Sequence, residues 1–260
     1  VAQFRVKMDL VPGLISYLWF TPNKAGTYDL LCEELCGIGH HVMRGRVVVD
    51  SAEDYQAWLA TQPTFAETQA MAAPDIAAGQ QQFATCAGCH GAQGEGNQAL
   101  NGPKLAGQQA WYLERQLQYF RDGVRGAHED DTLGQQMAGM ARILPDDNAV
   151  RNVSAYIGTL PNTPAATTVD GDIANGADIY ERNCAACHLD DGSGTWYTDA
   201  PVIAGQSDWY FVNQIQNFRA GIRGLHRDDA YGEQMVSMAT AMSGVEEIND
   251  VAAYLNSIAH

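Results

Sequence analysis

The segments CAGCH (86–90) and CAACH (184–188) stand 98 residues apart, and the sequence around them keeps that offset without a gap. PKLAGQQAWYLERQLQYFRDGVRGAHEDD (103–131) aligns with PVIAGQSDWYFVNQIQNFRAGIRGLHRDD (201–229), and GQQMAGM (134–140) with GEQMVSM (232–238). Self-similarity at one fixed, long period means that one folding unit occurs twice in tandem. The stretches 61–75 and 161–172 are rich in Pro, Ala, Thr and Asp and lack periodic apolar residues, so both read as linkers. Three units remain: 1–60, 76–160 and 173–260.

Each repeat reads as helical. An amphipathic stretch precedes each CxxCH (DIAAGQQQFATC; DIANGADIYERNC), and a second helix follows (WYLERQLQYFRDG; WYFVNQIQNFRAG), closed by glycine. A third ends each unit (PDDNAVRNVSAYIGTL; GVEEINDVAAYLNSIA), the first of them opening on Pro and two Asp, good helix-start residues. Residues 1–60 differ. FRVKMDL, LISYLWF, GTYDLLCEE and HHVMRGRVVVD are short strand-like runs, with PG and NKAG as turns. SAEDYQAWLA follows as a helix with Ser51 as N-cap.

The formal net charge is −16, unevenly spread. Residues 161–260 hold four Lys/Arg against fourteen Asp/Glu, whereas 1–60 hold five against seven. Nucleic acid is excluded as a partner, and a basic protein drawn to the last hundred residues is expected. No run approaches the length of apolar residues a membrane span needs. The N-terminus already alternates like a strand, so the sequence is expected to start within a processed fragment of a longer product.

The six cysteines form three close pairs, of which two are followed directly by histidine. CxxCH is an attachment motif for c-type haem: two thiols can form thioethers to the two vinyl groups, and the adjacent histidine becomes an axial iron ligand. Two copies in matching repeats imply two covalently bound haem c groups, on Cys86, Cys89 and His90, and on Cys184, Cys187 and His188. The sixth ligand must come from downstream, where Met137 and Met140 correspond to Met235 and Met238.

Both repeats resemble class I cytochromes c, and as a tandem pair they resemble dihaem periplasmic cytochromes. The resemblance implies Met137 and Met235 as axial ligands, with Met140 and Met238 as core thioethers packing on the haem. It also implies that the carbonyls of Pro103 and Pro201 hold the other ring nitrogen of each axial histidine. Met/His ligation leaves no open iron position, which argues for electron transfer and against a dihaem peroxidase. His128 and His226, also repeated, read as surface histidines beside neighbouring acids.

CEELCGIGHHVM (32–43) sets two cysteines, a histidine and a methionine on one short loop. Zinc would accept Cys and His but methionine is a poor zinc ligand, and a disulfide would leave His40 and Met43 unexplained. Thiolates, imidazole and thioether together favour copper. The loop and its flanks (FRVKMDLVPG, LWFTPNKAGTYDLLC, GHHVMRGRVVV) resemble the binuclear copper (CuA) domain of cytochrome c oxidase subunit II. That resemblance implies Cys32 and Cys36 bridging two coppers, with His40, Met43 and the backbone carbonyl of Glu34 completing the set. Trp19 would lie in the domain's core and His41 would be a neighbour rather than a ligand. The family's second histidine would fall just ahead of Val1.

The expected fold is therefore multidomain: a partial β cupredoxin-like domain followed by two all-α class I cytochrome c domains. The expected function is electron transfer within a respiratory haem–copper oxidase, on the periplasmic face of the bacterial inner membrane, anchored through a segment outside this sequence. The expected partners are a membrane-embedded, oxygen-reducing subunit and, as donor, a basic cytochrome c or a cytochrome bc-type complex. The order of domains and the acidic last unit suggest a path from donor to second haem, first haem, copper and membrane haem. Two rivals are a stand-alone dihaem carrier with a vestigial cupredoxin segment and an accessory to nitric or nitrous oxide reduction.

Overall fold

The computed structural model describes residues 1–9, 11, 13–34, 40 and 43–259, and divides the chain into two compact units, Val1–Ala73 and Pro74–His260. In the first unit, β1 (Gly26–Leu31) and β2 (Arg44–Val49) form an antiparallel pair with Gly26 opposite Val49 and Leu31 opposite Arg44. Helix α1 (Ala52–Ala60) starts where the Ser51 hydroxyl accepts from the Asp54 amide, as the sequence led one to expect. Phe4 packs its ring on those of Phe20 and Tyr28, each at 4.8 Å.

Two expectations for this unit need correcting. FRVKMDL and LISYLWF form no strand among the described residues; Ala2–Phe4 is instead a short 3₁₀ turn. A strand persists only when its backbone groups find a hydrogen-bonding neighbour, and the described sheet consists of β1 and β2 alone. Trp19 is 85% exposed rather than in a core. Within 61–75, α2 (Phe65–Ala70) forms because Thr64 and Glu67 satisfy each other's backbone amides in a capping box.

The second unit contains both repeats. The first supplies α3 (Ile76–His90), α4 (Ala110–Asp122), α5 (Thr132–Ala141) and α6 (Asp147–Ile157). The second supplies α7 (Ile173–Asn183), α8 (Ala185–His188), α9 (Asp208–Arg219), α10 (Ala230–Thr240) and α11 (Val245–Ser257). The first and last helices of each repeat cross at a glycine. A Cβ on Gly79 would strike the carbonyl of Asn152, and one on Gly176 the carbonyl of Asp250, so glycine permits the close approach. Phe83, Leu113, Val150, Val153 and Ile157 close the first core; Tyr180, Ile215, Phe218, Ile248, Val251 and Leu255 close the second. Each such burial is worth about 1.5–3 kcal/mol.

Helices α5 and α10, which carry the methionines, were not expected from the sequence. Asp131 and Asp229 start them by accepting from the amides of Gly134 and Gly232. The segment 161–172 is tied down on the second repeat. Asp208 accepts from the Thr168 amide and hydroxyl (2.6 Å each), the Val169 amide (2.9 Å) and the Asn256 amide group (2.9 Å). No helix among the described residues is long and apolar enough to cross a membrane.

Candidate functional site

Helix α3 runs unbroken through Cys86 and Cys89 to His90. In the second repeat α7 stops at Asn183, and a separate turn, α8, carries Cys187 and His188. Both histidines are buried, and each Nδ1 meets a proline carbonyl: Pro103 at 2.7 Å and Pro201 at 2.9 Å. A carbonyl only accepts, so Nδ1 must carry the proton and donate. That fixes the tautomer and leaves the lone pair on Nε2, which no hydrogen bond reaches among the described residues. Burial holds both imidazoles below the usual histidine range, against the pull of the carbonyls. Each ring is therefore a neutral, oriented nitrogen donor.

The four repeat cysteines form no disulfide. Burial pushes the Cys86 thiol up and the Cys184 thiol up to about 12, so neutral sulfur is the resting form. Met137 on α5 packs against Phe120, Ala138 and Ala141, and Met235 on α10 against the core of the second repeat. Met140 is 40% exposed and Met238 is half-buried. His128 and His226 are partly exposed; each Nδ1 accepts the amide two residues on, from Asp130 and Asp228.

Sequence reading missed what lies between the repeats. Arg125 donates to Gln116 (2.7 Å), Tyr210 (2.6 Å) and Gln214 (2.9 Å). Arg223, its counterpart at offset 98, donates to Gln214 (2.7 Å), Tyr112 (3.1 Å) and Gln116 (2.9 Å). Each glutamine oxygen thus accepts from both arginines, closing a ring across the boundary. Burial alone would raise the Tyr112 phenol, but Arg223 and Arg125 hold it below its usual range. The only signal in the sequence was recurrence of Tyr, Gln and Arg at the common offset.

The ring holds two guanidinium charges on neutral acceptors, and the Nε of each arginine is buried without a partner among the described residues. Such orphaned donors call for an anion. A haem fits this environment: its vinyl groups suit the paired thiols, its iron the bare Nε2, and its carboxylates the two cations.

Lys104 breaks the symmetry. It is 5% exposed, and its counterpart is Val202. Its amide donates to Ser207 (3.1 Å), and its ammonium to Asn162 and to the Gly205 carbonyl (2.8 Å each). Burial pushes its pKa down to about 8.

In the first unit, the described part of the expected copper loop gathers at the ends of β1 and β2. The Cys32 amide donates to the Met43 carbonyl (3.1 Å), the Met43 amide to the His40 carbonyl (3.3 Å), and the Cys32 thiol lies 3.3 Å from the Glu34 carbonyl. Glu34 is exposed and bridged to Lys7 at 2.6 Å; that hydrogen bond, aided by the lysine's charge, lowers the Glu34 pKa. Cys36 and His41 lie outside the described residues. Sulfur, imidazole and carbonyl donors on one strand-end loop suit copper in type. Among the described residues no cluster of three or more His, Cys, Asp or Glu is positioned to hold a metal.

A buried, tautomer-locked histidine next to paired thiols, built twice on one helical plan, defines an electron-transfer protein with covalently held haem. The cytochrome c family matches residues 76–161 and again 173–259, and the chain belongs to that family, with its domain present in two copies. Ahead of them, residues 1–52 match the periplasmic domain of cytochrome c oxidase subunit II. Over 66 residues, 25% of the chain, it is 53% identical to the alternative cytochrome c oxidase subunit 2 of Bradyrhizobium diazoefficiens, and that stretch spans 24% of the relative. Over 200 residues, 73% of the chain, it is 32% identical to cytochrome c4 of Pseudomonas aeruginosa, spanning 91% of that protein. The crystal structure of reduced recombinant cytochrome c4 from Pseudomonas stutzeri matches with a TM-score of 0.55 and 27% identity, over 70% of this chain and 98% of that one.

Proposed function

We propose that this chain is the electron-conducting part of subunit II of a haem–copper oxidase, receiving electrons on its cytochrome c repeats and delivering them through a copper centre to an oxygen-reducing membrane subunit. The observation that carries this reading is the run of subunit II sequence over residues 1–52, continuous with two cytochrome c domains in one polypeptide. The same match favours the periplasmic side of the membrane.

In this reading Cys86 and Cys89, and Cys184 and Cys187, would hold one haem each through their sulfurs, and His90 with Met137, and His188 with Met235, would ligate its iron. When bound, each haem supplies one-electron iron chemistry. The protein's contribution would be to hold these donor side chains in place. Pro103 and Pro201 hold the histidine rings through Nδ1, which prevents ligand rotation between oxidation states. Arg125 and Arg223 would offer their unused Nε–H groups to haem carboxylates, and their charge between the repeats would favour the reduced state of nearby centres. Cys32, Cys36, His40, Met43 and the Glu34 carbonyl would hold two coppers.

A second reading has a specific observation behind it: the likeness to cytochrome c4 spans nearly all of that protein, favouring a self-sufficient dihaem carrier. The two readings separate in the natural full-length protein purified from membranes. Two coppers per chain, a near-infrared band, co-purified polytopic subunit and oxygen consumption lost on Met43→Leu are the expected results for the oxidase. Two haems with no copper and no partner subunit would establish the carrier instead.

A further inference from the structure

The two repeats share a small loop scaffold but differ in what it displays. After each CxxCH the chain returns through a hairpin closed by a two-residue bridge, Asn97 with Gly102 and Thr195 with Ala200. A left-handed residue stands at the same place in both, Asn101 and Asp199, each at φ 54°. The first hairpin carries Gln98, Ala99 and Leu100; the second carries Trp196, Tyr197 and Thr198. Trp196 and Tyr197 are 62% and 78% exposed, with rings stacked at 3.9 Å.

This aromatic tip is held firmly. The Thr198 hydroxyl donates to the carbonyl of Cys187 (2.7 Å), which places the tip beside the second attachment motif. Arg115 grips Asp199 from the first repeat by its side chain (2.7 Å) and its carbonyl (3.0 Å). The residues after the axial histidine differ in the same sense: Gly91, Ala92 and Gln93 in the first repeat, Leu189, Asp190 and Asp191 in the second. Leu189 adopts φ 64°, ψ 164°, a conformation that only glycine takes at ease, and still exposes its side chain. Strain retained at an exposed apolar residue marks a position kept for something other than folding.

We infer that Leu189, Trp196 and Tyr197, flanked by the exposed Asp190 and Asp191, form the docking surface for a basic electron-carrier protein whose own cofactor edge is ringed by apolar residues and lysines. This rests on the reading that the second repeat faces the donor. Aromatics are the side chains that anchor protein interfaces, and a rigid exposed pair loses little entropy on contact. The complementary charge is present: residues 161–260 carry fourteen acids against four arginines, one of which, Arg223, is buried in the interdomain ring. Carboxylates around an apolar centre steer a cationic partner and set its orientation. The first repeat offers the same loop with one exposed leucine and no adjacent acid pair, so the partner selects between two otherwise similar modules.

The test uses the full chain with both haems and a lysine-rich mitochondrial cytochrome c as the probe, with binding followed by calorimetry at low ionic strength. Trp196→Ala with Tyr197→Ala weakens the Kd about tenfold, whereas Gln98→Ala leaves it unchanged. Asp190→Asn with Asp191→Asn flattens its salt dependence. Leu189→Gly relieves the backbone and removes an apolar contact, so it raises the melting temperature while weakening binding, a combination a purely structural residue would not give. An unchanged Kd in the aromatic double variant overturns the proposal. So does a concentration-dependent dimer of the chain that those substitutions abolish, since the patch would then serve a second copy. Haem content measured on the same samples separates the two levels: two haems per chain with unchanged Kd removes the docking surface alone, and fewer than two removes the reading beneath it as well.

Discussion

Lys104→Met tests whether a cation buried against neutral acceptors costs what its surroundings imply. The folded lysine is pushed down to about 8 from the usual 10.5, and at 1.36 kcal/mol per pH unit the gap corresponds to about 3 kcal/mol. The sign follows from proton counting. Below the folded pKa both states are protonated and the full penalty is present. Between the two values the unfolded chain still binds the proton that the folded chain has released, so stability rises with pH and the penalty is relieved. At neutral pH the substitution removes that penalty but also two hydrogen bonds, to Asn162 and Gly205, each worth roughly 1.5–3 kcal/mol when the donor is charged. The two effects nearly cancel, so a single melting temperature is uninformative. The difference between wild type and variant as a function of pH isolates the lysine, because every other titrating group is common to both. Denaturant unfolding of the haem-loaded protein from about pH 7 to about pH 10 should show wild type gaining about 2–3 kcal/mol relative to Lys104→Met. Parallel curves, within about 0.5 kcal/mol, would refute the reasoning, because the ammonium would then be as well solvated in the fold as in the open chain.

Other expectations can be checked on the same preparation. Gly79→Ala and Gly176→Ala should each cost about 1–3 kcal/mol by forcing helices apart at a backbone carbonyl, read from the unfolding midpoint. Gly88→Ala, which meets nothing within 4 Å and reproduces the Ala186 of the second motif, should be neutral or slightly stabilising. Burial alone would raise the Asp208 pKa, but bonds from Thr168, Asn256 and Val169 bring it below the usual carboxylate value. Its stabilisation is therefore present above the unfolded pKa of about 3.9 and lost as pH falls through the depressed folded value. Asp208→Asn should abolish that acid dependence and speed proteolysis of 161–172. Met235→Ala should leave one of the two haems high-spin, seen by magnetic resonance or visible absorption, with the other unchanged.

Much of this was open to reading from residues. Paired CxxCH motifs at one offset, prolines at the matching distance and Asp at helix starts are local signals, and local chemistry decides what they do. The methionine helices escaped notice because TLGQQMAGM and AYGEQMVSM lack a clear apolar stripe; an aspartate cap and packing on one side are enough to form them. FRVKMDL and LISYLWF alternate as strands do, yet alternation specifies a face and not a partner, and pairing is what makes a strand. Trp19 fails as a core residue for the same reason. The arginine ring and Lys104 were out of reach because their meaning lies in contacts made across some hundred residues of sequence.

The crossed arrangement of Arg125, Gln116, Arg223 and Gln214 treats both halves alike, each side giving and receiving the same contacts. That is the pattern of a two-fold homodimer, in which one patch is complementary to itself. Such an interface is complete wherever two copies of one repeat face each other, and a single chain carrying both fixes that pairing. Covalent linkage makes the stoichiometry permanent and releases each half from the requirement to be identical, and Lys104 opposite Val202, with Trp196 opposite Gln98, shows where the halves differ.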